Sequence, residues 1–281
     1  MSGRTERRGS VAGDIAAWVF LALVAFVFAV PLVWVLSTSL KAPVEIFATP
    51  TTMLPGQPTL ENYAEILAGS FPSYLVNSLV AATGATLVGL LFCVPAAFGC
   101  AKCRYRASTG LLYAAAGTRI FPPIALILPF FIQFRLLGLI DTPFGLIVAY
   151  VPIVFPLMLW ILYGFFRDYP DEILEAARID GLGPIRTLIG IVLPTSLPAL
   201  GVATLFGFLV AWNEFLIALT LTRTPAGQTL PVGIATQITQ FQTLWGQMMA
   251  AAAIYLLPVL AVTLVAQRGL VSGLMTGATK G

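Results

Sequence analysis

The sequence contains no histidine, so it lacks the commonest general base and the commonest metal ligand in proteins. Its three cysteines give no disulfide framework, and we interpret Cys100-x-x-Cys103 as structural because no second pair accompanies it. No segment fits GxxxxGK[ST], the loop that cradles nucleotide phosphates. These absences predict that the chain is not an enzyme, has no catalytic residues, and binds neither a metal ion nor a cofactor itself.

Charged residues are also scarce. They make up 10% of the chain, whereas soluble domains carry about a quarter. Hydrophobic residues make up 58%, and the mean hydropathy is +0.93. This composition is typical of a polytopic membrane protein, so we predict an all-α membrane fold in contact with the lipid bilayer and no nucleic-acid partner.

Six apolar runs are long enough to cross the ~30 Å hydrocarbon core of a bilayer. The first is too long for a secretory signal, so we interpret it as a membrane anchor. Residues 61–67, between the first two runs, are expected to form a short surface helix. The membrane domain is expected to cover residues 14–268, with polar tails at 1–13 and 269–281. The predicted spans are residues 15–36, 74–101, 108–134, 143–166, 197–221 and 248–266.

Six spans place both termini on one side of the membrane, and the basic residues indicate which side. The other side receives Lys41, Arg135 and Arg223. Because cytoplasmic segments carry the excess of lysine and arginine, both termini are predicted to be cytoplasmic. The basic residues on the side of the termini are Arg4, Arg7, Arg8, Lys102, Arg104, Arg106, Arg167, Arg178, Arg186, Arg268 and Lys280.

A polar segment between the fourth and fifth spans is predicted to form a helix over residues 169–180. Pro170 suits its first turn, acidic residues lie at its positive end, and Gly181 is a natural stop. Its small alanines favour docking in a partner's groove, although a solvated connector between spans is an equally good interpretation of the amphipathic pattern. By helical spacing, one face carries Ile173, Ala176, Ala177 and Asp180, and another carries Glu172, Glu175 and Ile179.

The same segment resembles the EAA loop of ABC-importer membrane subunits. Its pattern is Glu175-Ala176-Ala177, three residues, Gly181, nine residues, then Ile191, Leu193 and Pro194. The whole chain is similar to the carbohydrate-uptake branch of type I ABC permeases, and in particular to the shorter, maltose-type second subunit. Supporting stretches are Asn77-Ser78, Phe121-Pro122-Pro123, residues 137–142, residues 212–215, residues 229–233 and the tail 273–281.

This resemblance implies a bacterial or archaeal cytoplasmic-membrane importer. Its expected partners are a homologous second permease, two cytoplasmic ATPase subunits that hold ATP and magnesium, and an extracytoplasmic solute-binding protein. Loop 167–196 is expected to dock on an ATPase. Glu175 would supply charge there, Ala177 close approach, and Gly181 the helix stop, with ion pairs from Arg178 and Asp180. Loop 222–247 is expected to face the binding protein, or else to be a solvated connector.

Polar residues inside the predicted spans are candidates for the solute path. Arg119 lies in the third span, where a charge must be paired or solvated. It is expected either to line the path or to form an internal ion pair. Asn213 and Glu214, beside Trp212 in the fifth span, suit a sugar with hydroxyl groups and an apolar face. The companion permease is an alternative source of most solute contacts.

The residues do not select one solute. A sugar is the expected substrate, and a polyol or a sugar phosphate such as glycerol 3-phosphate is an alternative. A secondary transporter is the main rival class. That class would favour inverted repeats and an ion-coupling carboxylate near the midplane, and Glu214 is the only acid inside the predicted spans.

Overall fold

The computed structural model describes residues 11–103, 108–238 and 243–278, and the regular elements in these residues are helices. The basic residues predicted for the two tails, together with Arg104 and Arg106, lie outside the described residues. In chain order the helices are α1 (Val11–Ser39), α2 (Pro43–Ile46), α3 (Glu61–Ala68), α4 (Phe71–Lys102), α5 (Ser108–Gly117), α6 (Pro123–Leu136), α7 (Pro143–Arg167), α8 (Asp171–Ile179), α9 (Pro184–Thr187), α10 (Leu193–Thr195), α11 (Leu197–Trp212), α12 (Leu216–Leu221), α13 (Leu230–Ala235) and α14 (Trp245–Ala278).

The chain divides into two compact units. The first consists of Met1–Ile66 and Thr239–Ala253. It contains α1, whose apolar side chains are largely exposed, and the predicted surface helix, which is α3. The side-chain amide of Asn62 donates to the carbonyls of Ser39 and Lys41, each at 2.9 Å. These bonds fasten α3 to the end of α1. The segment between the two helices is thus held by hydrogen bonds within the first unit.

The second unit consists of Leu67–Ile238 and Ile254–Gly281, and its core is formed by α4, α7 and α11. The three helices meet at the buried Met158 of α7. A Cβ atom added to Gly89 of α4 would lie 3.2 Å from the Met158 sulfur, and one added to Gly207 of α11 would lie 2.6 Å from it. The two glycines thus leave room for the Met158 side chain between the helices, and a larger residue at either position would displace it.

The predicted third span is not one helix. Residues 118–122 form a turn between α5 and α6, and Pro122 is extended, with φ −64° and ψ 126°. Two consecutive prolines remove backbone donors, and Pro123 disfavours helical geometry at the residue before it. The span predicted over 108–134 therefore consists of two helices, and whether it crosses the membrane stays a prediction.

The predicted fifth span is also broken. Helix α11 ends at Trp212, and α12 begins only at Leu216, so the span predicted over 197–221 consists of two helices. Before α11, a π-helical stretch (Leu188–Val192) joins α9 to α10, and the segment Pro184–Thr195 is bent by 84° from α11. The bend lies at Ser196, which is not helical, with φ −102° and ψ 12°.

By length and composition, four helical segments can cross a membrane: Gly13–Ser39, Phe71–Lys102, Pro143–Arg167 and Trp245–Val265. The bent pair Pro184–Thr195 and Leu197–Trp212 makes a fifth if it counts as one span, and α6 is a shorter apolar helix. The predicted first, second, fourth and sixth spans are thus confirmed as helices. Six spans and the orientation of the termini remain predictions.

Candidate functional site

The predicted docking helix forms as α8, and it ends as the sequence predicts. Gly181 has φ +78°. Its amide donates to the carbonyl of Arg178 at 3.0 Å, and the amide of Leu182 donates to the carbonyl of Ala177 at 2.9 Å. These two bonds are the Schellman arrangement, in which a left-handed residue satisfies the last carbonyls of a helix. Gly181 is therefore a conformational requirement.

One side of α8 packs against its own chain. Leu174 and Ala177 are buried, at 5% and 2% exposure, whereas Glu175, Ala176 and Arg178 are exposed. The predicted grouping of Ala177 with Ala176 on one face was therefore wrong, because helical spacing does not say which side faces the chain. Ala177 cannot give a partner close approach in this conformation. Ala176 is the small residue on the open side.

The open side of α8 also carries an apolar residue that the sequence interpretation did not assign to the docking contact. Ile179 is 87% exposed at the end of the helix, and Ile185 in α9 is 71% exposed. They lie next to the charged residues Arg178, Asp180 and Arg186. A single exposed isoleucine is common on protein surfaces, so these two residues show only that the open side of α8 and α9 carries apolar as well as charged side chains. Ile179 precedes the helix stop at Gly181 and Ile185 follows it. This position was the signal in the sequence that both side chains are exposed.

A cavity of about 590 Å³ lies between α8 and the end of α4. Its charged lining residues are Lys102, Asp171, Glu175 and Arg178, so it contains two cations and two carboxylates. Lys102 and Asp171 form an ion pair across 2.7 Å. Glu175 and Arg178 thus lie at the edge of a polar recess.

Three predicted EAA-loop residues lie farther along the chain, before the bend. Ile191 is half-buried in the π-helical stretch, Leu193 is half-buried in α10, and Pro194 is exposed. The hydroxyls of Tyr169 and Thr195 lie 2.8 Å apart. This bond joins the segment before α8 to the bend, so both ends of the EAA loop meet.

Trp212 does not line an open path. It is 1% exposed; its ring is stacked on that of Phe208, with centroids 5.5 Å apart, and tilted against that of Tyr255, at 5.3 Å. In this conformation the ring is buried within the chain, so contact between Trp212 and a sugar stays a prediction. The neighbour on α14 could not be found from local sequence.

Asn213 and Glu214 lie in the break between α11 and α12. The Glu214 carboxylate accepts hydrogen bonds from the amides of Ile217, at 3.0 and 3.1 Å, and Ala218, at 3.0 Å. It therefore caps α12. Asn213 is exposed, and its side chain donates to the carbonyl of Leu209 and accepts from the hydroxyl of Tyr255. Both side chains have local structural partners.

Arg119 lies in the turn between α5 and α6 and is exposed. Within residues 11–103, 108–238 and 243–278, no carboxylate lies at ion-pair distance from it. The internal ion pair, one of its two predicted roles, is thus not formed with these residues.

The first half of loop 222–247 is fixed to helix α4. The side-chain amide of Asn77 donates to the carbonyls of Ala226, at 2.7 Å, and Gln228, at 3.0 Å. The hydroxyl of Ser78 accepts from the amide of Leu230 at 2.7 Å. A solvated connector is therefore the wrong description of residues 226–230.

Asp141 holds the same loop from the turn before α7. Its carboxylate accepts hydrogen bonds from the amides of Arg223, at 3.0 Å, and Thr224, at 3.2 and 3.3 Å, and from the Thr224 hydroxyl. Partial burial raises the pKa of Asp141, but these bonds and the Arg223 charge lower it by more, so the net pKa lies below its ordinary value. A Cβ on Gly227 would overlap this carboxylate.

Comparison with known proteins agrees with this architecture. The chain is 35% identical over 254 residues to the trehalose transport system permease protein SugB of Mycobacterium tuberculosis, covering 89% of this chain and 92% of that one. It is also 35% identical over 263 residues to the trehalose/maltose transport system permease protein MalG of Thermococcus litoralis, covering 92% and 94%.

A solved structure shares the fold. It is a chain in the crystal structure of a bacterial ABC transporter involved in the import of the acidic polysaccharide alginate, with a TM-score of 0.77. The identity is 23%, and the match covers 95% of this chain and 98% of that one. Residues 66–275 match the family model described as the binding-protein-dependent transport system inner membrane component. The chain belongs to this family of inner-membrane transport components.

Proposed function

We propose that this chain is a permease subunit of a binding-protein-dependent ABC importer for a sugar. It forms half of the translocation path with a homologous second permease, and two separate ATPase chains power it. The observation that carries the proposal is α8: a short helix with a charged and apolar open side, ended by Gly181 in a left-handed conformation. In a chain of this family, such a helix supports docking on an ATPase.

The coupling step is a change between two conformations. ATP-driven closure of the ATPases favours one of the two arrangements of the membrane helices. The movement of the ATPases reaches those helices through α8. Glu175 and Arg178 supply charges, Ile179 supplies the apolar contact, and Gly181 sets the direction in which the chain leaves the helix. Ala177 supports the helix from its inner side, where it is buried.

Six spans and cytoplasmic termini fit this role. In this arrangement α5 and α6 together make the third span, broken at its two prolines, and α11 with α12 makes the fifth. The excess of basic residues on the side of the termini supports a cytoplasmic location for α8 and both termini. The loop held by Asn77 and Asp141 then faces the solute-binding protein outside.

The relatives support a saccharide as the solute. Two carry trehalose or maltose in their names, at 35% identity. Another, also 35% identical, is the sulfoquinovosyl glycerol transport system permease protein SmoH of Agrobacterium fabrum, covering 89% of this chain and 88% of that one. A glycosylated polyol is therefore the second candidate. Arg119, exposed in a membrane-spanning region, remains our candidate for contact with a polar solute.

The test is purification from the native membrane in mild detergent, followed by an ATPase assay. We expect one other permease and two ATPase copies to copurify, with ATP hydrolysis stimulated by a solute-loaded binding protein. Comparing trehalose, maltose and a glycosylglycerol in that assay distinguishes the solutes. Recovery of this chain alone or as a homodimer, without an ATPase, would favour a secondary transporter instead.

A further inference from the structure

Lys102 lies at the junction of three helices. It is the last residue of α4, and its side chain is 9% exposed. The ammonium group donates hydrogen bonds to the carbonyls of Arg167, at 3.1 Å, and Tyr169, at 2.7 Å, and to the carboxylate of Asp171, at 2.7 Å. An ammonium group has three donors, so the three bonds use all of them.

The three acceptors follow the chain from α7 into α8. Arg167 is the last residue of α7, Tyr169 lies in the connection, and Asp171 is the first residue of α8. A positive charge at the end of α7 complements the negative end of that helix. One side chain thus joins the end of α4, the end of α7 and the start of α8.

The inner side of α8 adds to this attachment. Leu174 and Ala177 are buried, so the helix is held along its length as well as at its start. By contrast, the nearby Arg167 and Asp168 side chains pair across 3.0 Å but are 61% and 71% exposed. A pair that exposed contributes little to positioning. Of these two basic side chains, Lys102 and not Arg167 is the one that holds the start of α8.

We propose that Lys102 is a positioning residue that ties α8 to the ends of α4 and α7, so that movement of α8 moves both membrane helices. The inference rests on the proposed function, in which α8 receives the movement of the ATPases. Without the ammonium group, two carbonyls and a carboxylate lose their common donor. Helix α8 then stays folded and still binds its partner, but its movement reaches α4 and α7 less completely.

The test uses the assembled importer in liposomes, with solute uptake and ATP hydrolysis measured together. The variants are Lys102→Met, Lys102→Gln, the charge-preserving Lys102→Arg, and the control Arg167→Gln. For Lys102→Met we expect retained ATPase subunits and continued hydrolysis, with uptake per ATP lower by at least about fivefold, the lower range of site-to-site coupling. Lys102→Arg recovers most of the uptake, and Arg167→Gln matches wild type. Lys102→Gln takes the place of Lys102→Met if that variant fails to assemble.

Hydrogen exchange of the α8 amides separates this inference from the proposed function. It is measured on whatever assembly is purified, including this chain alone. Loss of a charge-assisted bond predicts about tenfold faster exchange in Lys102→Met and Lys102→Gln, with no change in Arg167→Gln. Unchanged exchange, or wild-type uptake per ATP in an assembled Lys102 variant, overturns the positioning role. If the wild-type assembly contains no ATPase but exchange responds as expected, the proposed function fails and the anchoring of α8 stands.

Discussion

The hydroxyl of Thr224 donates to a carboxylate oxygen of Asp141 across 2.6 Å, joining the turn before α7 to the loop after α12. Asp141 has φ +62°, in the left-handed region that aspartate and asparagine tolerate better than most residues. Asp141→Asn therefore changes the charge while the backbone conformation stays accessible. The Asp141→Asn variant therefore tests whether the carboxylate charge holds the loop after α12 in place.

We expect Asp141→Asn to lower the free energy of unfolding by about 1 kcal/mol at neutral pH, since a half-buried carboxylate loses charge-assisted bonds. The folded-state pKa is lowered. The contribution is thus fully present above the ordinary carboxyl pKa of about 4 and is lost as pH falls through the lowered value. Thermal unfolding of the two proteins across this range should converge in acid. Asp168→Asn, in an exposed pair, is the control and should leave stability unchanged; a pH-independent gap would contradict this account.

Gly181→Ala should strain the end of α8. A residue with a Cβ atom pays about 1–2 kcal/mol in the left-handed conformation. The strain either frays the last turn or redirects the chain after it, so we expect hydrolysis without proportionate uptake, and a larger loss for Gly181→Asp. Gly183→Ala is the matched control, because Gly183 has φ −74° and no neighbour near its Cβ position. Wild-type uptake in Gly181→Asp would contradict the assignment.

Ile179→Ser should weaken ATPase binding without destabilising this chain. The side chain is 87% exposed, and substitutions at such positions change stability by less than about 0.5 kcal/mol. Loss of an apolar anchor in an interface costs about 1–2 kcal/mol, roughly tenfold in affinity. Copurified ATPase is the measurement, and Ile179→Val is the conservative control. Equal ATPase recovery in both variants would remove Ile179 from the interface.

Glu214 should behave as a cap and not as a solute ligand. Glu214→Ala removes the acceptor for the Ile217 and Ala218 amides, so we expect a loss of about 1–2 kcal/mol in stability. Glu214→Gln keeps an acceptor and should lose less. In both, the solute concentration for half-maximal uptake should stay at its wild-type value. A shifted half-maximal concentration with unchanged stability would return Glu214 to the solute path.

Local chemistry made some features predictable. The stop at Gly181 follows from the backbone preference of glycine, and the span helices α1, α4, α7 and α14 follow from long apolar runs. The breaks at Pro122 and Asn213 were missed because hydropathy continues across them. In the first case two prolines were the available signal, and in the second the cap by Glu214 is visible only once the amides are placed.

Side-chain surroundings were less predictable. Helical spacing groups Ala176 with Ala177, but only packing shows that Ala177 faces inward. The cover over Trp212 comes from Tyr255, on a helix distant in the chain. The anchoring of loop residues 226–230 likewise depends on Asn77 and Ser78, which the sequence marked only by resemblance.

The most direct test of ATPase coupling through α8 is photocrosslinking in the native membrane. In one variant of this chain a benzophenone amino acid replaces Ile179. In the control variant it replaces Val44, which has the same 87% exposure but lies in the first unit. The account predicts an adduct with an ATPase chain from position 179, altered by ATP, and none from position 44. No ATPase adduct at 179, or equal adducts at both positions, would contradict it.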